Sequence, residues 1–369
     1  MPSILSIIWN NKFNLPPLPA PNTFLGKSIL ITGATSGIGY ATAVHFVSLG
    51  ARSVIITGRS LAKGELAKAR IEDETSTIGK NIVRCMDLLI SEVPSSIQIS
   101  WNIELLSDVY GLPNVERLDM STFETINEFA GKVTRDIQEI DFVCLNAGAI
   151  STKHKLGKEG YEAMIEISVL GTSFLALLLL PWIKAVGRGI AHLGIVTSGV
   201  HRSVDISKWP KDNVLKYWSA KENWKDGQSG YGLAKLLQQY AVNELAKLAL
   251  RADGKHKVIV NSICPGMVKS DLGREYNTGV AMGIIINLWM GLACKTTEGG
   301  ARTYVLAALT PSSEHGAHYT NYETEEKYKN SVEHNIFGDE GQNMQVQVWK
   351  EILEIVDKKY PEVVERVHS

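Results

Sequence analysis

The sequence predicts an α/β protein built on a doubly wound parallel sheet of about seven strands, with helices on both faces. Three observations lead there. Short apolar runs alternate with helix-length segments, and a glycine-rich turn joins the first run to the first long helical segment. In addition, 369 residues that are 44% hydrophobic, with a net charge of -1, suit a single large core. Alternation of this kind calls for right-handed crossovers between parallel strands, and ligands of such sheets lie at the carboxyl ends of the strands.

The first run, Ser28-Ile-Leu-Ile-Thr32, is short and partly β-branched, and leads into glycines at 33, 37 and 39. Tyr40 to Leu49 then reads as a helix closed by Gly50. Further strands are expected at Ser53 to Thr57, Val115 to Asp119, Asp141 to Asn146, His192 to Ser198, Lys257 to Ile263 and Gly316 to Thr320. The third is ambiguous, because Cys85-Met-Asp-Leu88 echoes Leu118-Asp-Met120. The later copy is preferred, since Ser121 and Thr122 stand as caps before an amphipathic helix, Phe123 to Ile137.

Residues 1–26 read as an N-terminal extension whose stretch Asn14 to Asn22, with four prolines, is an extended lead-in. Residues 27–369 read as one domain carrying two additions. An insert at about 78–114 is too long for a structureless loop, and is expected to form a hairpin or helix at the sheet edge or to stay mobile. A loop at 199–230 carries Trp209, Trp218 and Trp224 among five lysines. It suits either an apolar patch awaiting a partner or the mouth of a substrate pocket.

Composition narrows the function classes. A near-neutral charge gives no case for nucleic acid. Cysteines 85, 144, 264 and 294 form no C-x-x-C pair, so they read as buried thiols in a reducing, cytoplasmic setting, and no metal is called for. The apolar start, Met1 to Trp9, lacks the basic leader and cleavage site of a signal peptide. The run 279–294 is too short to span a bilayer.

The chemistry is carried by Tyr231 and Lys235 in Y-G-L-A-K, downstream of Ser198. A spacing of four puts both side chains on one helix face. A free phenol titrates near ~10 and is a poor acid or base at neutral pH, but a neighbouring cation, joined by an oxidised nicotinamide ring, favours phenolate. By itself the pair reads as readily as an exposed helical Tyr and Lys. The turn Gly33-x-x-x-Gly37-x-Gly39 between strand and helix adds a place where backbone can approach a pyrophosphate at a helix N-terminus.

Thr32-Gly-Ala-Thr-Ser-Gly-Ile-Gly39, Asn146-Ala-Gly148, Ser198, Tyr231-x-x-x-Lys235 and Cys264-Pro-Gly266 stand in the order found in the short-chain dehydrogenases/reductases, which the chain resembles from about Lys27 to about Thr320. Leu118 to Phe123, Ile195 to His201 and Pro265 to Leu272 look like the retinol-dehydrogenase-like branch, and the chain is similar to fungal members that serve secondary metabolism. The resemblance implies a Rossmann-type sheet and a catalytic set of Ser198, Tyr231 and Lys235. It implies cofactor contacts at Gly33, Thr35, Ser36, Gly37, Ile38 and Gly39. Asp119 and Met120 fall toward the adenine, and Asn146, Ala147 and Gly148 toward the cofactor's flank. Tyr231, Lys235, Pro265, Gly266, Val268 and Ser270 fall toward the nicotinamide. Turn and strand-end roles are the plain alternatives.

One position departs from the family. Where its members carry a catalytic Asn, in a pattern like V-N-x-L-G, this chain has Ile167-Ser168-Val-Leu-Gly171. Ser168 either keeps a water-linked proton path or is an ordinary helix serine bonding the preceding turn. His201 is left out of the catalytic set, since a histidine there is expected to satisfy loop backbone. Residues 280–293 fall where the family has a mobile lid. They suit a large hydrophobic substrate, a peripheral membrane contact, a second subunit of a homo-oligomer, or a plain buried helix.

After the second strand, Thr57-Gly-Arg59-Ser60 offers no carboxylate for a ribose 2′-hydroxyl, while Arg59 can pair a 2′-phosphate, which favours NADP(H) over NAD(H). The expected activity is an NADP(H)-dependent carbonyl reductase or alcohol dehydrogenase on a bulky hydrophobic ketone or secondary alcohol. Two rivals stay open. One is the same scaffold catalysing a non-redox cyclisation or isomerisation; the other is a non-enzymatic, cofactor-binding partner protein.

Overall fold

The protein is described here from a computed structural model covering residues 4–85, 118–250, 256–270, 272 and 290–368. Seven strands form one parallel sheet: β1 (Ser28–Ile31), β2 (Ser53–Ile56), β3 (Val83–Cys85), β4 (Ile140–Leu145), β5 (Gly187–Val196), β6 (Val258–Ile263) and β7 (His318–Tyr319). Their order is β3-β2-β1-β4-β5-β6-β7. The chain reverses its direction of travel across the sheet between β3 and β4, so β1 and β4 are neighbours and their carboxyl ends open a crevice. β1, β2, β4 and β6 are buried along their whole length, as expected of parallel strands covered on both faces.

One face carries the helices Gly37–Ser48, Leu61–Glu74 and Thr297–Ala307, which bring Phe46, Ile71, Tyr304 and Val305 into a core with Ile29, Ile31, Val54 and Ile56. The other face carries Phe123–Asp136, Thr172–Val186 and Gly227–Ala249. Phe129, Phe174, Leu237 and Tyr240 anchor the larger core there. The C-terminal helices Asp339–Asp357 and Pro361–His368 extend that core with Val348, Ile352 and Val363. The segment 163–186 is long and apolar enough to cross a membrane, but 83% of its most apolar window is buried inside the protein. It is the central helix of the larger core, and its Trp182 donates Nε1–H to the Ile137 carbonyl at 3.0 Å.

The third strand corrects the preferred sequence reading. The place beside β2 is taken by Val83–Cys85, with Val54 opposite Val83 and Ile56 opposite Cys85. Val83 is buried, and the Cys85 thiol packs against Gly64 of the helix above. Leu118 and Asp119 lie outside any strand, because the Asp119 carboxylate folds the chain into a turn by accepting the Ser121 N–H at 3.1 Å and hydroxyl at 2.8 Å. Residues 86–117, which hold most of the expected insert, lie outside the described residues, as do 279–289 of the expected lid.

The helix expected from Phe123 is present as Phe123–Asp136, but its cap differs. Thr122 makes no side-chain cap; its hydroxyl shares a 2.6 Å hydrogen bond with that of Thr125. The Phe123 N–H is instead met by Glu159 Oε1 at 3.0 Å. The loop 199–230 also holds more structure than expected, with a helix at Val214–Ser219. Its Val214 and Leu215 N–H groups both donate to Glu351, at 2.9 Å each. Trp209 and Trp218 lie against each other, tilted at 57° with centroids 5.3 Å apart, and pack on the larger core. These two indoles are therefore internal anchors of the loop.

Candidate active site

The glycine turn lies at the carboxyl end of β1. Gly33 and Gly37 have φ of +66° and +61°, the left-handed region where a side chain is strained. A Cβ on Gly39 would stand 2.7 Å from both Asn146 Nδ2 and Gly33 O, so the helix start is pressed onto the strand end. Around Gly37 the space is open: its Cβ would meet only Ser270, at 4.0 Å. Ser36 precedes the helix Gly37–Ser48 without capping it through its side chain, which leaves first-turn N–H groups aimed out of the helix for an anion. These features fit a dinucleotide pyrophosphate. Ile38 packs on the smaller core, and Thr35 abuts Gly58 at the end of β2, directly before Arg59. Arg59 is exposed, and no ion pair holds it among the described residues.

Asn146 ties β1 to β4. Its Nδ2 donates to the carbonyls of Thr32 at 3.0 Å and Gly33 at 3.1 Å, and its Oδ1 accepts the Tyr304 hydroxyl at 3.0 Å. The Thr32 hydroxyl accepts the N–H groups of Asn146 and Ala147, at 3.0 and 3.1 Å. Tyr304 is fully buried and was not singled out by the sequence, because it stands 158 residues from its partner.

Ser198 follows β5, at the start of the short 3-10 turn Gly199–Ser203, and Tyr231 and Lys235 lie on the helix Gly227–Ala249, whose N-terminus is capped by Asp226 accepting the Ser229 N–H at 2.8 Å. The Ser198 hydroxyl bonds the Tyr231 phenol. Burial pushes that phenol up to about 12, the Ser198 bond pulling the other way. The expected downward pull by Lys235 is not found in the protein alone. The ammonium lies 5.7 Å from the Tyr231 ring centre and donates instead to the Val196 carbonyl at 3.0 Å and Gln238 Oε1 at 2.8 Å. Lys235 is only 4% exposed, and burial lowers it to about 8.

Ser168 joins this group. It sits in a π-helical turn, Glu166–Gly171, and its Oγ is buried with no hydrogen-bond partner among the described residues. A Cβ on Gly148 would lie 3.9 Å from Lys235 Nζ, 4.0 Å from Ser168 Oγ and 3.9 Å from the Asn146 carbonyl. An orphan hydroxyl beside an ammonium with one N–H to spare is a place for a bridging water. The sequence thus brought together Ser198, Tyr231, Lys235, Ser168, Asn146 and Gly148. It missed Gln238, which the i,i+3 spacing from Lys235 signals.

After β6, residues Pro265 to Ser270 turn back over the cradle, with Ser270 above Gly37 and Val268 packed on Gly300. Asp119 and Met120 are held by local contacts. Asp119 turns onto Ser121 with Lys158 at 3.9 Å, and the Met120 carbonyl abuts Gly171 below Ser168. His201 is fully buried, its Nε2 3.1 Å from the Tyr328 hydroxyl.

Fold and site together define an α/β dinucleotide-binding oxidoreductase. The sequence profile of the short chain dehydrogenase family matches residues 27–91. A short-chain dehydrogenase/reductase of Aspergillus flavipes, ffsI, is 31% identical over 98% of this chain and 94% of its own length. Another from Phaeosphaeria nodorum, phmF, is 31% identical over 94% and 91%. The chain belongs to the short-chain dehydrogenase/reductase family, whose members bind NAD(P). Solved structures share its fold: a short-chain type dehydrogenase/reductase from Mycobacterium ulcerans has a TM-score of 0.51 at 17% identity, covering 78% of this chain and 87% of its own. A short-chain dehydrogenase/reductase described as glucose/ribitol dehydrogenase, from Brucella melitensis, has 0.52 at 14%, covering 80% and 93%.

Proposed function

We propose that the protein is an NADP(H)-dependent carbonyl reductase or alcohol dehydrogenase acting on a bulky, largely apolar ketone or secondary alcohol in fungal secondary metabolism. The observation that carries this reading is the convergence of the bonded Ser198–Tyr231 pair, the buried Lys235 and the orphan Ser168 hydroxyl at the carboxyl end of the sheet, beside an open glycine cradle. A bound NADPH would supply hydride to the carbonyl carbon. Tyr231, protonated at neutral pH, gives its proton to the carbonyl oxygen as charge develops there. Ser198 holds that oxygen and the phenol in one geometry. Lys235 stabilises the phenolate left behind, and the Ser168 hydroxyl with a water returns the proton from solvent.

NADP(H) is favoured over NAD(H) by exposed Arg59 after β2, in a segment with no carboxylate, since a guanidinium pairs a 2′-phosphate with charge-assisted bonds. Fungal short-chain dehydrogenase/reductase relatives support a natural product as substrate. The test is calorimetric titration with NADPH and NADH, followed by a screen of hydrophobic ketones for loss of reduced-cofactor absorbance. Tight NADPH binding with ketone-dependent oxidation supports the reading; binding without hydride transfer to any carbonyl turns it toward the non-redox use of the scaffold.

A further inference from the structure

The N-terminal extension reaches the nicotinamide side of the site. It forms a helix, Ile4–Phe13, in which Asn11 is only 2% exposed although it lies ahead of the sheet domain. Asn11 Nδ2 donates to the Ala293 carbonyl at 2.6 Å, and Asn11 Oδ1 accepts the Tyr322 hydroxyl at 2.7 Å. That hydroxyl accepts the Met267 N–H at 3.1 Å. The polarity of the chain is fixed: Tyr322 has one proton, its oxygen takes the Met267 N–H, so it must give that proton to Asn11, whose amide then faces a carbonyl. Lys12 adds bonds of 2.6 Å to the carbonyls of Gly291 and Cys294.

Tyr322, which Asn11 bonds, in turn touches the loop that overhangs the cradle. Gly266 has φ +81°, and a Cβ there would collide with the Tyr322 hydroxyl, so ring and loop are in direct contact. Lys295, next to the segment held by the N-terminal helix, closes the grip from below. Its N–H donates to Met267 O at 2.8 Å, its carbonyl accepts Lys269 N–H at 2.9 Å, and its ammonium donates to Pro265 O at 2.9 Å while lying 4.5 Å from the Tyr322 ring centre. The loop is thus bound by Tyr322 and Lys295; Asn11 bonds Tyr322 directly, and it reaches Lys295 only along the chain, through its buried bond to the Ala293 carbonyl. The Asn11–Ala293 bond is buried, and breaking it strands a desolvated partner, so it holds the Asn11 amide in the orientation that accepts from Tyr322.

We propose that Asn11 is a positioning residue of the active site, which through Tyr322 sets the Pro265–Lys269 loop against the nicotinamide half of the cofactor, so that the N-terminal helix is a working part of the cofactor site. This rests on the dinucleotide reading given above. It requires that loss of the Asn11–Tyr322 bond weaken binding of the nicotinamide end selectively and leave the adenine end unaffected.

The test compares NADP+ with adenosine 2′,5′-bisphosphate, which lacks the nicotinamide half, by calorimetry on the full chain and on Asn11→Ala, Tyr322→Phe and the double variant. Each single variant should bind NADP+ about threefold to tenfold more weakly, leave the bisphosphate unchanged, and lose no further affinity in the double. Hydrogen exchange without ligand should quicken at the amides of 267–269 in both. Lys12→Met, which spares the Tyr322 chain, should keep wild-type selectivity. Equal losses for both ligands, additive effects, or unchanged exchange at 267–269 would overturn the proposal. If the wild type prefers NAD+, the cofactor assignment falls and NAD+ against AMP makes the same comparison; if it binds no dinucleotide, both readings fall together.

Discussion

The Lys235 ammonium donates to Gln238 Oε1 at 2.8 Å, one helical turn further along the buried face of Gly227–Ala249. Burial lowers Lys235 to about 8, and the amide oxygen is one of two acceptors that favour its charged form. Catalysis that needs the ammonium should therefore hold below about pH 8 and fall as pH rises through it. Gln238→Leu removes an acceptor, so the descending limb should move to lower pH; Gln238→Glu places a carboxylate there and should move it higher. pH–rate profiles of the three proteins decide it, and coincident limbs would detach Lys235 from the rate.

Ser168 offers a second test, because its hydroxyl has no partner among the described residues and lies near Lys235 across Gly148. Ser168→Ala should lower turnover several-fold with little change in cofactor affinity, and Ser168→Asn should be tolerated. A silent alanine variant, with hydride transfer monitored directly, would withdraw Ser168 from the proton path.

For cofactor choice, Arg59→Ala should weaken NADPH by about 1.5–3 kcal/mol, roughly tenfold to a hundredfold, and leave NADH nearly unchanged. Direct titration with both cofactors measures this. Equal effects would remove Arg59 from the 2′-phosphate.

What the sequence made legible was local. A strand, a glycine turn and a helix follow one another between Ser28 and Ser48, so hydrophobic period and turn chemistry place the strand and the helix end within a residue and the helix start within three. Tyr231 and Lys235 share a helix face for the same reason. The third strand failed because two similar segments compete for one place, and only pairing with Val54 and Ile56 chooses Val83–Cys85. The contacts that set the site are long-range: Asn146 with Tyr304, and Tyr322 with Asn11 across 311 residues. No periodicity carries such pairs. Ser168 was visible only as a departure from a motif, and its lack of a partner needed coordinates.

Acid stability follows from the buried histidines. His201 is lowered from 6.5 to about 3 by burial, with Arg202 adding to the shift, and His318 beside it is also held well below its ordinary value, first by burial. Between pH 6.5 and about 3 the unfolded chain binds protons at these positions that the folded protein does not. Stability is therefore fully present above 6.5 and lost as pH falls, with a slope approaching about 1.4 kcal/mol per pH unit for each such histidine. Denaturant unfolding between pH 7.5 and 4.5 should show the decline, and His201→Phe should flatten it. A stability that is level across that range would contradict the buried neutral histidines.

The most direct test of the central claim is single-turnover hydride transfer from NADPH to a hydrophobic ketone substrate by wild type and Tyr231→Phe. The substitution keeps the ring and removes the proton, so NADPH affinity should stay within a few-fold while the hydride-transfer rate falls by about 10²–10⁴. A Tyr231→Phe protein that transfers hydride at close to the wild-type rate would contradict the assignment of Tyr231 as the acid, and with it the mechanism built on Ser198, Lys235 and Ser168.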